Sequence, residues 1–359
     1  MRHFGSRPAR SLELTEVGYE KKDFVARITI NRPQRYNAYS THALEELATA
    51  LRDAAHDDAV GVIVLTGAGD RAFCTGGDVK EYAEEYVQRP RDYWKYMNLF
   101  RAYIEAILDS GKPTIARVNG MAVGGGNESH LACDLSVIAE HASLRQVGTH
   151  VGSVACGGAT QWLPLNIGDK RAREMLMLNR PVPARRALEW GLVNRVAPSV
   201  TKDGAFVGEA TEEQIKLALE GKGGYAISLQ KLDQMVDELC GQLLESFAEC
   251  TRYTKEQVNF LKNFVWHSTV GHAREWLALH YACAEPLEGM NAFVEKRKVR
   301  FRDLRERALA DESPELPWGS YARRCPQCGA AGLPERFEHC GKCGAALGTP
   351  VPAAEAGRG

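Results

Sequence analysis

The sequence predicts a mixed α/β fold, followed by a helical region and a small cysteine-rich tail. Short β-branched apolar runs alternate with helical patterns in the first part of the chain, which is typical of buried strands with connecting helices. From Leu229 onward the strand signals stop and only helical patterns follow. Two closely spaced cysteine pairs then occur near the C-terminus. The chain is therefore expected to divide into an α/β core, a helical region and a small cysteine module.

The core is predicted over residues 24–228, after an N-terminal extension at 1–23. Its strands share short apolar sequences with turn residues at both ends, and they are predicted at 24–31, 61–66, 114–118 and 135–139. Amphipathic helical patterns are found between them at 43–55 and 93–108. The polar segment 199–228 is longer than most loops, so it is predicted to be an insertion with one helix at 212–219.

The C-terminal boundaries follow from a change in composition. Apolar residues at helical spacing predict helices at 235–247, 255–265, 273–284 and 292–301, within a helical region over 229–310. A linker is predicted at 311–324, the cysteine module at 325–347, and a flexible tail rich in alanine, proline and glycine at 348–359.

Composition excludes several classes of function. The 359 residues are 44% hydrophobic, which is enough for a sizeable core. The net charge of −1 provides no field that would attract nucleic acid or an anionic membrane. No apolar run is long enough to span a bilayer, and residues 1–23 lack the apolar stretch of a signal peptide. We therefore expect a cytoplasmic protein without nucleic-acid or membrane partners.

Two glycine-rich turns, each between a β-rich apolar run and a helical pattern, carry the strongest functional signal. They lie within 71–79 and 118–134. Such turns expose backbone N–H groups at a helix N-terminus, where the dipole and the unpaired donors favour a negatively charged oxygen. Two turns that face one point predict an oxyanion hole, with Glu128 placed to move protons beside it. Ordinary strand-to-helix bends are the alternative.

These turns belong to a set of ordered motifs that resembles the crotonase (enoyl-CoA hydratase/isomerase) superfamily. The resemblance extends from about residue 24 to residue 301. Its motifs are AFCTGGD at 72–78, NGMAVGGGNE at 119–128, ALEWGLVNRVAP at 187–198 and EGMNAFVEKR at 288–297. The set is highly specific for the superfamily and much less specific for the reaction.

The resemblance implies a spiral of ββα turns, a helical trimerisation region and a coenzyme A thioester as substrate, with no cofactor for catalysis. It also implies that the N–H groups of Gly77 and Gly125 bind the thioester oxygen. The residues implied to hold the coenzyme are Arg71, Thr75 and Val79 through nearby backbone, and Phe293 and Lys296 near the end of the helical region. For Lys296, a solvated surface charge is an equally open interpretation.

A second catalytic position distinguishes the reactions of the superfamily. Ordinary hydratases pair the glutamate after the glycine cluster with another about twenty residues further on, because adding water needs two acid/base groups. Here Gly148 occupies that place. The segment GTHVGS at 148–153 instead resembles members that make or break C–C bonds next to a thioester. This implies hydrolytic ring opening of a cyclic oxo-enoyl-CoA, with simple hydration or isomerisation and a non-enzymatic scaffold as alternatives.

Three further side chains in or near the glycine turns and this segment each have more than one possible role. Ser153 and His150 are candidates to hydrogen-bond a ring ketone or to position a water, and a structural role for His150 is equally open. Asp78 either contacts the substrate or caps the helix that begins at Val79, and we favour the cap.

The last four cysteines have the spacing of a zinc ribbon. Cys325 and Cys328 form one C-x2-C pair, and Cys340 and Cys343 form the other after eleven intervening residues. Four thiolates satisfy tetrahedral zinc and leave no open position, so the metal is predicted to be structural. Redox-active or disulfide pairs are the alternative. A protein partner for this module, and assembly as a homotrimer or a dimer of trimers, are further expectations.

Overall fold

Two β-sheets form the centre of the fold, and the chain passes back and forth between them. The computed structural model describes residues 6–310 and 312–348, so parts of the predicted extension 1–23, linker 311–324 and tail 348–359 lie outside the described residues. The strands are β1 Val17–Lys22, β2 Val25–Ile30, β3 Val62–Gly67, β4 Ala72–Cys74, β5 Thr114–Val118, β6 Met121–Val123, β7 Leu135–Ala139, β8 Ser143–Arg145, β9 Val182–Pro183, β10 Arg195–Ala197, β11 Val200–Lys202, β12 Ala205–Phe206, β13 Tyr225–Ile227, β14 Arg323–Arg324 and β15 Ala331–Leu333.

Helices cover the outer face of these sheets and form the C-terminal part. They are α1 Thr41–His56, α2 Val79–Glu81, α3 Pro90–Leu108, α4 Gly125–Ala132, α5 Ala159–Ile167, α6 Asp169–Leu178, α7 Ala184–Glu189, α8 Glu212–Glu220, α9 Gln230–Leu244, α10 Ala248–His280, α11 Ala284–Val294 and α12 Asp303–Leu309. A π-helical turn at Tyr82–Tyr86 follows α2 directly. Within the described ranges, no helix combines the length and apolar content that a bilayer crossing requires.

The strand order gives the spiral that the family resemblance implies. One sheet has the order β1-β2-β3-β5-β7-β10 and the other β4-β6-β8-β9. Strands β2, β3, β5, β7 and β10 run parallel, and so do β4, β6 and β8. The successive pairs β3/β4, β5/β6 and β7/β8 each place one strand in each sheet before the chain enters the next helix. The prediction of an α/β crotonase-like fold is confirmed.

The predicted strands and helices of the core are found as β2, β3, β5, β7, α1 and α3. The sheet begins earlier than the predicted core, because β1 lies inside the range 1–23 and pairs antiparallel with β2. The insertion 199–228 contains the expected helix as α8 and, in addition, a three-stranded sheet of order β12-β11-β13. The prediction for this segment included no strands, since each has only two or three residues.

The C-terminal region is helical as predicted, but the extents of three predicted helices were wrong. The predicted helices 255–265 and 273–284 are parts of one continuous helix, α10. The predicted helix 292–301 does not form, because α11 already ends at Val294 and Lys296 adopts a left-handed φ of 53°. The Arg297 guanidinium closes this turn with hydrogen bonds of 2.5 and 2.8 Å to the Glu288 carboxylate.

Candidate active site

The two glycine turns meet at one cavity of about 90 Å³. Its lining includes Gly77 from the first turn, Gly125 from the second, and Glu128. The first turn follows β4, and the second follows β6 and opens α4. Because β4 and β6 are parallel neighbours, their C-terminal ends bring both turns to the same edge of the sheet.

The close approach of the turns requires glycine. Gly76 has a φ of +86°, and a Cβ atom there would lie 3.0 Å from the Gly125 nitrogen. A Cβ atom on Gly77 would lie 1.7 Å from the Tyr82 hydroxyl oxygen, and one on Gly125 would lie 1.8 Å from that of Tyr39. Neither Gly77 nor Gly125 therefore has space for a side chain, because a tyrosine hydroxyl occupies it.

Both glycine N–H groups are free to bind a ligand. Gly125 is the first residue of α4, and the first N–H groups of a helix have no partner within it. Within the described part of the chain, neither the N–H of Gly77 nor that of Gly125 donates a hydrogen bond to another residue. Two unpaired donors at one cavity can stabilise a negative charge on a carbonyl oxygen.

Glu128 is held in this cavity as a buried carboxyl group. Its side chain accepts a 3.2 Å hydrogen bond from the Ala159 N–H, and the residue is 5% exposed. Burial raises the pKa of Glu128 to about 7, although hydrogen bonds from the Ala159 and Gly157 N–H groups oppose the increase. A group with this pKa can both accept and return a proton near neutral pH.

The position of the second hydratase carboxylate is closed to a side chain. A Cβ atom on Gly148 would lie 2.9 Å from the Ser153 carbonyl oxygen and 3.2 Å from the Ala155 nitrogen. The Ser153 N–H also donates a 2.9 Å hydrogen bond to the Gly148 carbonyl. Among the described residues that line the cavity, Glu128 alone carries a carboxyl group, and none is a histidine.

Tyrosines supply half of the other proton-bearing side chains of the cavity. Tyr39, Tyr82, Tyr93 and Tyr96 line it, and the hydroxyls of Tyr82 and Tyr96 are hydrogen-bonded to each other. Burial raises the pKa of each of these phenols well above its usual value. They are therefore neutral hydrogen-bond donors. The sequence alone indicates no role for them, because tyrosines distant in the chain give no signal that their rings converge.

The structure brings some predicted site residues together and separates others. Ser153, Thr75 and Val79 line the cavity with the glycine turns and Glu128. His150 does not line it. Its side chain is exposed on a 3-10 turn, with its ring centroid 5.6 Å from that of Phe301.

The residues expected at the coenzyme are more dispersed. Arg71 is exposed outside the cavity lining, and its carbonyl accepts a 3.1 Å hydrogen bond from the Met121 N–H. Phe293 and Lys296 are exposed at the end of α11, which packs against α2. Asp78 caps α2 by accepting a 3.1 Å hydrogen bond from the Lys80 N–H, as we favoured.

The family assignment agrees with this geometry. The profile of the enoyl-CoA hydratase/isomerase family matches residues 20–305. The chain belongs to this family. Its fold is similar to that of an enoyl-CoA hydratase from Mycobacterium avium subsp. paratuberculosis, with a TM-score of 0.65, 24% identity, and coverage of 81% of this chain and 100% of that one. At this identity the likeness concerns the fold alone.

Two curated relatives of the chain share a name that is more specific than the family name. A 6-oxocyclohex-1-ene-1-carbonyl-CoA hydrolase from Geobacter metallireducens is 37% identical over 77% of this chain and 78% of its own length. The hydrolase of the same name from Thauera aromatica is 36% identical over 81% of this chain and 83% of its own length.

The four C-terminal cysteines form a second candidate site that could hold a metal ion. Their sulfur atoms all lie within 4.8 Å of one another. The sulfur atoms of Cys325 and Cys343 are 3.6 Å apart, and those of Cys328 and Cys340 are 3.7 Å apart. Four thiolates at zinc-bond length in a tetrahedron are roughly 3.8 Å apart. The residues therefore fit a tetrahedral ion.

Proposed function

We propose that the protein hydrates and then hydrolytically opens a cyclic oxo-enoyl-CoA such as 6-oxocyclohex-1-ene-1-carbonyl-CoA. The main support is the combination of two free glycine N–H groups with a single buried carboxyl group at Glu128, where the second hydratase carboxylate has no space. The names of the two curated relatives favour the same substrate.

The first step adds water across the ring double bond. The Glu128 carboxylate takes a proton from water, and the hydroxide forms a C–O bond at the β-carbon. The electron pair of the double bond moves onto the thioester oxygen, where the N–H groups of Gly77 and Gly125 bind the enolate. Glu128 then returns its proton to the α-carbon, so one carboxyl group completes the addition.

The second step uses the same groups to break the ring. Glu128 takes a proton from a second water, and the hydroxide adds to the ring ketone carbon. When the tetrahedral adduct collapses to a carboxylic acid, the bond between that carbon and the α-carbon breaks. Its electron pair again forms the thioester enolate, and Glu128 protonates the α-carbon. Hydrolytic cleavage therefore needs only one acid/base group and the same oxyanion hole.

The decisive experiment is to weigh the products. The purified protein is incubated with 6-oxocyclohex-1-ene-1-carbonyl-CoA and, separately, with crotonyl-CoA, followed by mass spectrometry. We expect a gain of two waters on the cyclic substrate and no change in crotonyl-CoA. One water gained on crotonyl-CoA alone would instead make the protein a hydratase, and binding without turnover of either thioester would favour a scaffold.

The pH dependence of turnover should follow Glu128. Both additions begin with its carboxylate form, and burial raises its pKa to about 7. Turnover on the cyclic substrate is therefore expected to fall about tenfold for each pH unit below that value and to level off above it. A pH–rate profile from about pH 5 to pH 9 checks this. A rate that stays constant down to pH 5 would exclude Glu128 as the base.

We also propose how the coenzyme part of the substrate is held. Thr75 and Val79 line the cavity, which supports a role for their backbone in binding the coenzyme beyond the thioester. Arg71 near the same turn, and Phe293 and Lys296 at the end of α11, would then close over the adenine end. The packing of α11 against α2 supports this arrangement.

We propose assembly as a homotrimer or a dimer of trimers through the C-terminal helices. α10 exposes large apolar side chains, including Val258 (73% exposed), Phe260 (73%) and Phe264 (62%). Such a patch on one helix is unusual for a surface in water. Light scattering after gel filtration should give three or six times the mass of the chain.

The cysteine module is proposed to bind one structural zinc ion. All ten cysteines lie among the described residues, and none is in a disulfide, which agrees with a reducing cytoplasm. The zinc ion would fix the short β14–β15 hairpin, which has little core of its own. A protein partner for this module remains a further proposal.

Removing two ligands should abolish metal binding without unfolding the core. For Cys325→Ser with Cys340→Ser, we expect the zinc content to fall from one ion per chain to none, while the main melting transition moves little. Native mass spectrometry and calorimetry measure these two quantities. Cys250→Ser, which changes an exposed thiol outside the module, is the control and should retain one ion. Equal zinc content in all three proteins would reject the site.

A further inference from the structure

The hydroxyl group of Tyr39 is an uncommitted donor in the catalytic cavity. Tyr39 is 2% exposed and lines the cavity beside Gly125. Across the described ranges 6–310 and 312–348, its hydroxyl has no hydrogen-bond partner, whereas the Tyr82 and Tyr96 hydroxyls bind each other. A hydroxyl group that lines the cavity and has no protein partner can donate a hydrogen bond to a ligand oxygen there.

The backbone and the ring of Tyr39 are both held in place, and together they position this hydroxyl. Its N–H donates a 2.9 Å hydrogen bond to the Gly76 carbonyl, and its carbonyl accepts a 3.0 Å hydrogen bond from the Asp78 N–H. The residue is thus anchored on the first glycine turn, while its hydroxyl contacts Gly125 in the second. Phe100 stacks on its ring with centroids 5.9 Å apart. The donor is therefore held beside the proposed oxyanion hole.

The substrate of the proposed function has two oxygens that are close neighbours. Its ketone is β to the thioester carbonyl, so both oxygens can point to the same side of the ring system. A carbonyl oxygen has two lone pairs, and the N–H groups of Gly77 and Gly125 would use both on the thioester oxygen. A donor that flanks this hole is then adjacent to the ketone oxygen. Burial raises the pKa of Tyr39 well above its usual value, so its proton is retained.

On the basis of the proposed function, we propose that the Tyr39 hydroxyl donates a hydrogen bond to the second carbonyl oxygen of a β-oxo acyl-CoA and so selects thioesters that carry a ketone at this position. During ring opening, the same hydrogen bond stabilises the negative charge that develops on the ketone oxygen when hydroxide adds to its carbon. The proton of Tyr39 is not transferred.

The test compares Tyr39→Phe with Tyr103→Phe. Tyr103 is a matched control, because its ring centroid is 6.3 Å from that of Tyr39 and it is fully buried but lies outside the cavity lining. We expect Tyr39→Phe to lower kcat for ring opening by about 10²-fold and Tyr103→Phe to change it less than about threefold. Melting temperatures of both variants identify any loss of folding. No loss of kcat in a folded Tyr39→Phe variant would overturn the proposal.

A binding measurement separates this inference from the proposed function. In a Glu128→Gln background, which prevents turnover, the affinities for 6-oxocyclohex-1-ene-1-carbonyl-CoA and for ketone-free cyclohex-1-ene-1-carbonyl-CoA are compared. The oxo compound should bind about tenfold more tightly, and Tyr39→Phe should abolish this difference. Equal affinities with Tyr39 present would overturn the inference even if the ring opens. If the preference is found but wild-type protein opens no ring, the proposed function fails and the inference stands.

Discussion

Replacing Glu128 by glutamine is expected to lower turnover of the cyclic substrate by about 100-fold or more. The amide has nearly the same shape but cannot take a proton from water, and no other carboxyl group or histidine is present among the described residues that line the cavity. Steady-state kinetics with 6-oxocyclohex-1-ene-1-carbonyl-CoA measure the loss. Activity within a few-fold of the wild type would remove Glu128 from the mechanism.

The same substitution should increase stability at alkaline pH. Burial raises the pKa of Glu128 from 4.5 to about 7, so the folded protein binds this proton more tightly than the unfolded chain. The free energy of unfolding therefore decreases as pH rises from about 4.5 to 7, and the buried charge costs on the order of 3 kcal/mol above that range. Glu128→Gln lacks the charge. Its melting temperature should exceed that of the wild type at about pH 8 and match it at about pH 4.

Glu46 provides a control of opposite sign. It is also 5% exposed, and burial raises its pKa, but hydrogen bonds from the Thr15 and Glu16 N–H groups outweigh that effect and lower it overall. Its charged form therefore stabilises the folded state above its unfolded pKa, and this contribution is lost as pH falls. Glu46→Gln should melt at a lower temperature than the wild type at about pH 8 and retain catalytic activity.

The parts of the fold that sequence predicted well are those with a strong local signal. β5 and β7 agree with the sequence residue by residue, because their β-branched runs are bounded by turn residues. β4, β6 and β8 were not predicted individually, since three residues carry no measurable periodicity. Their positions follow from the spiral as a whole.

The candidate site was likewise predictable where the signal is local and not where it depends on distant segments. Both turns were predictable because glycine is required in them and is visible in the sequence. It is required because the phenols of Tyr39 and Tyr82 leave no space for a side chain. The convergence of those phenols was not predictable, since it depends on how distant segments pack. His150 and Ser153 are three positions apart, yet His150 ends the exposed 3-10 turn Gly148–His150, whereas Ser153 beyond it lines the cavity.

Adding one methyl group to the second glycine turn is expected to damage the oxyanion hole. In Gly125→Ala the new Cβ atom would lie 1.8 Å from the Tyr39 hydroxyl oxygen and 2.9 Å from its ring. Tyr39 has little room to move away, because its backbone is hydrogen-bonded to the first turn and its buried ring stacks on Phe100. The Gly125 N–H must therefore shift relative to that of Gly77. Displacing one donor from an oxyanion hole lowers kcat by about 10²- to 10³-fold.

Gly241→Ala is the matched control for this prediction. Gly241 lies inside α9, and a Cβ atom there meets no neighbour within 4 Å, so alanine should be neutral or slightly stabilising. The measurement is kcat for ring opening, together with circular dichroism to show that both variants fold. If Gly125→Ala folds and retains kcat close to that of Gly241→Ala, the second turn does not bind the enolate, and both steps proposed for the cavity fail. We expect instead that Gly125→Ala folds normally and loses kcat. The N–H groups of the two turns can bind the same oxygen only at the spacing that the two glycines, which have no side chain, allow.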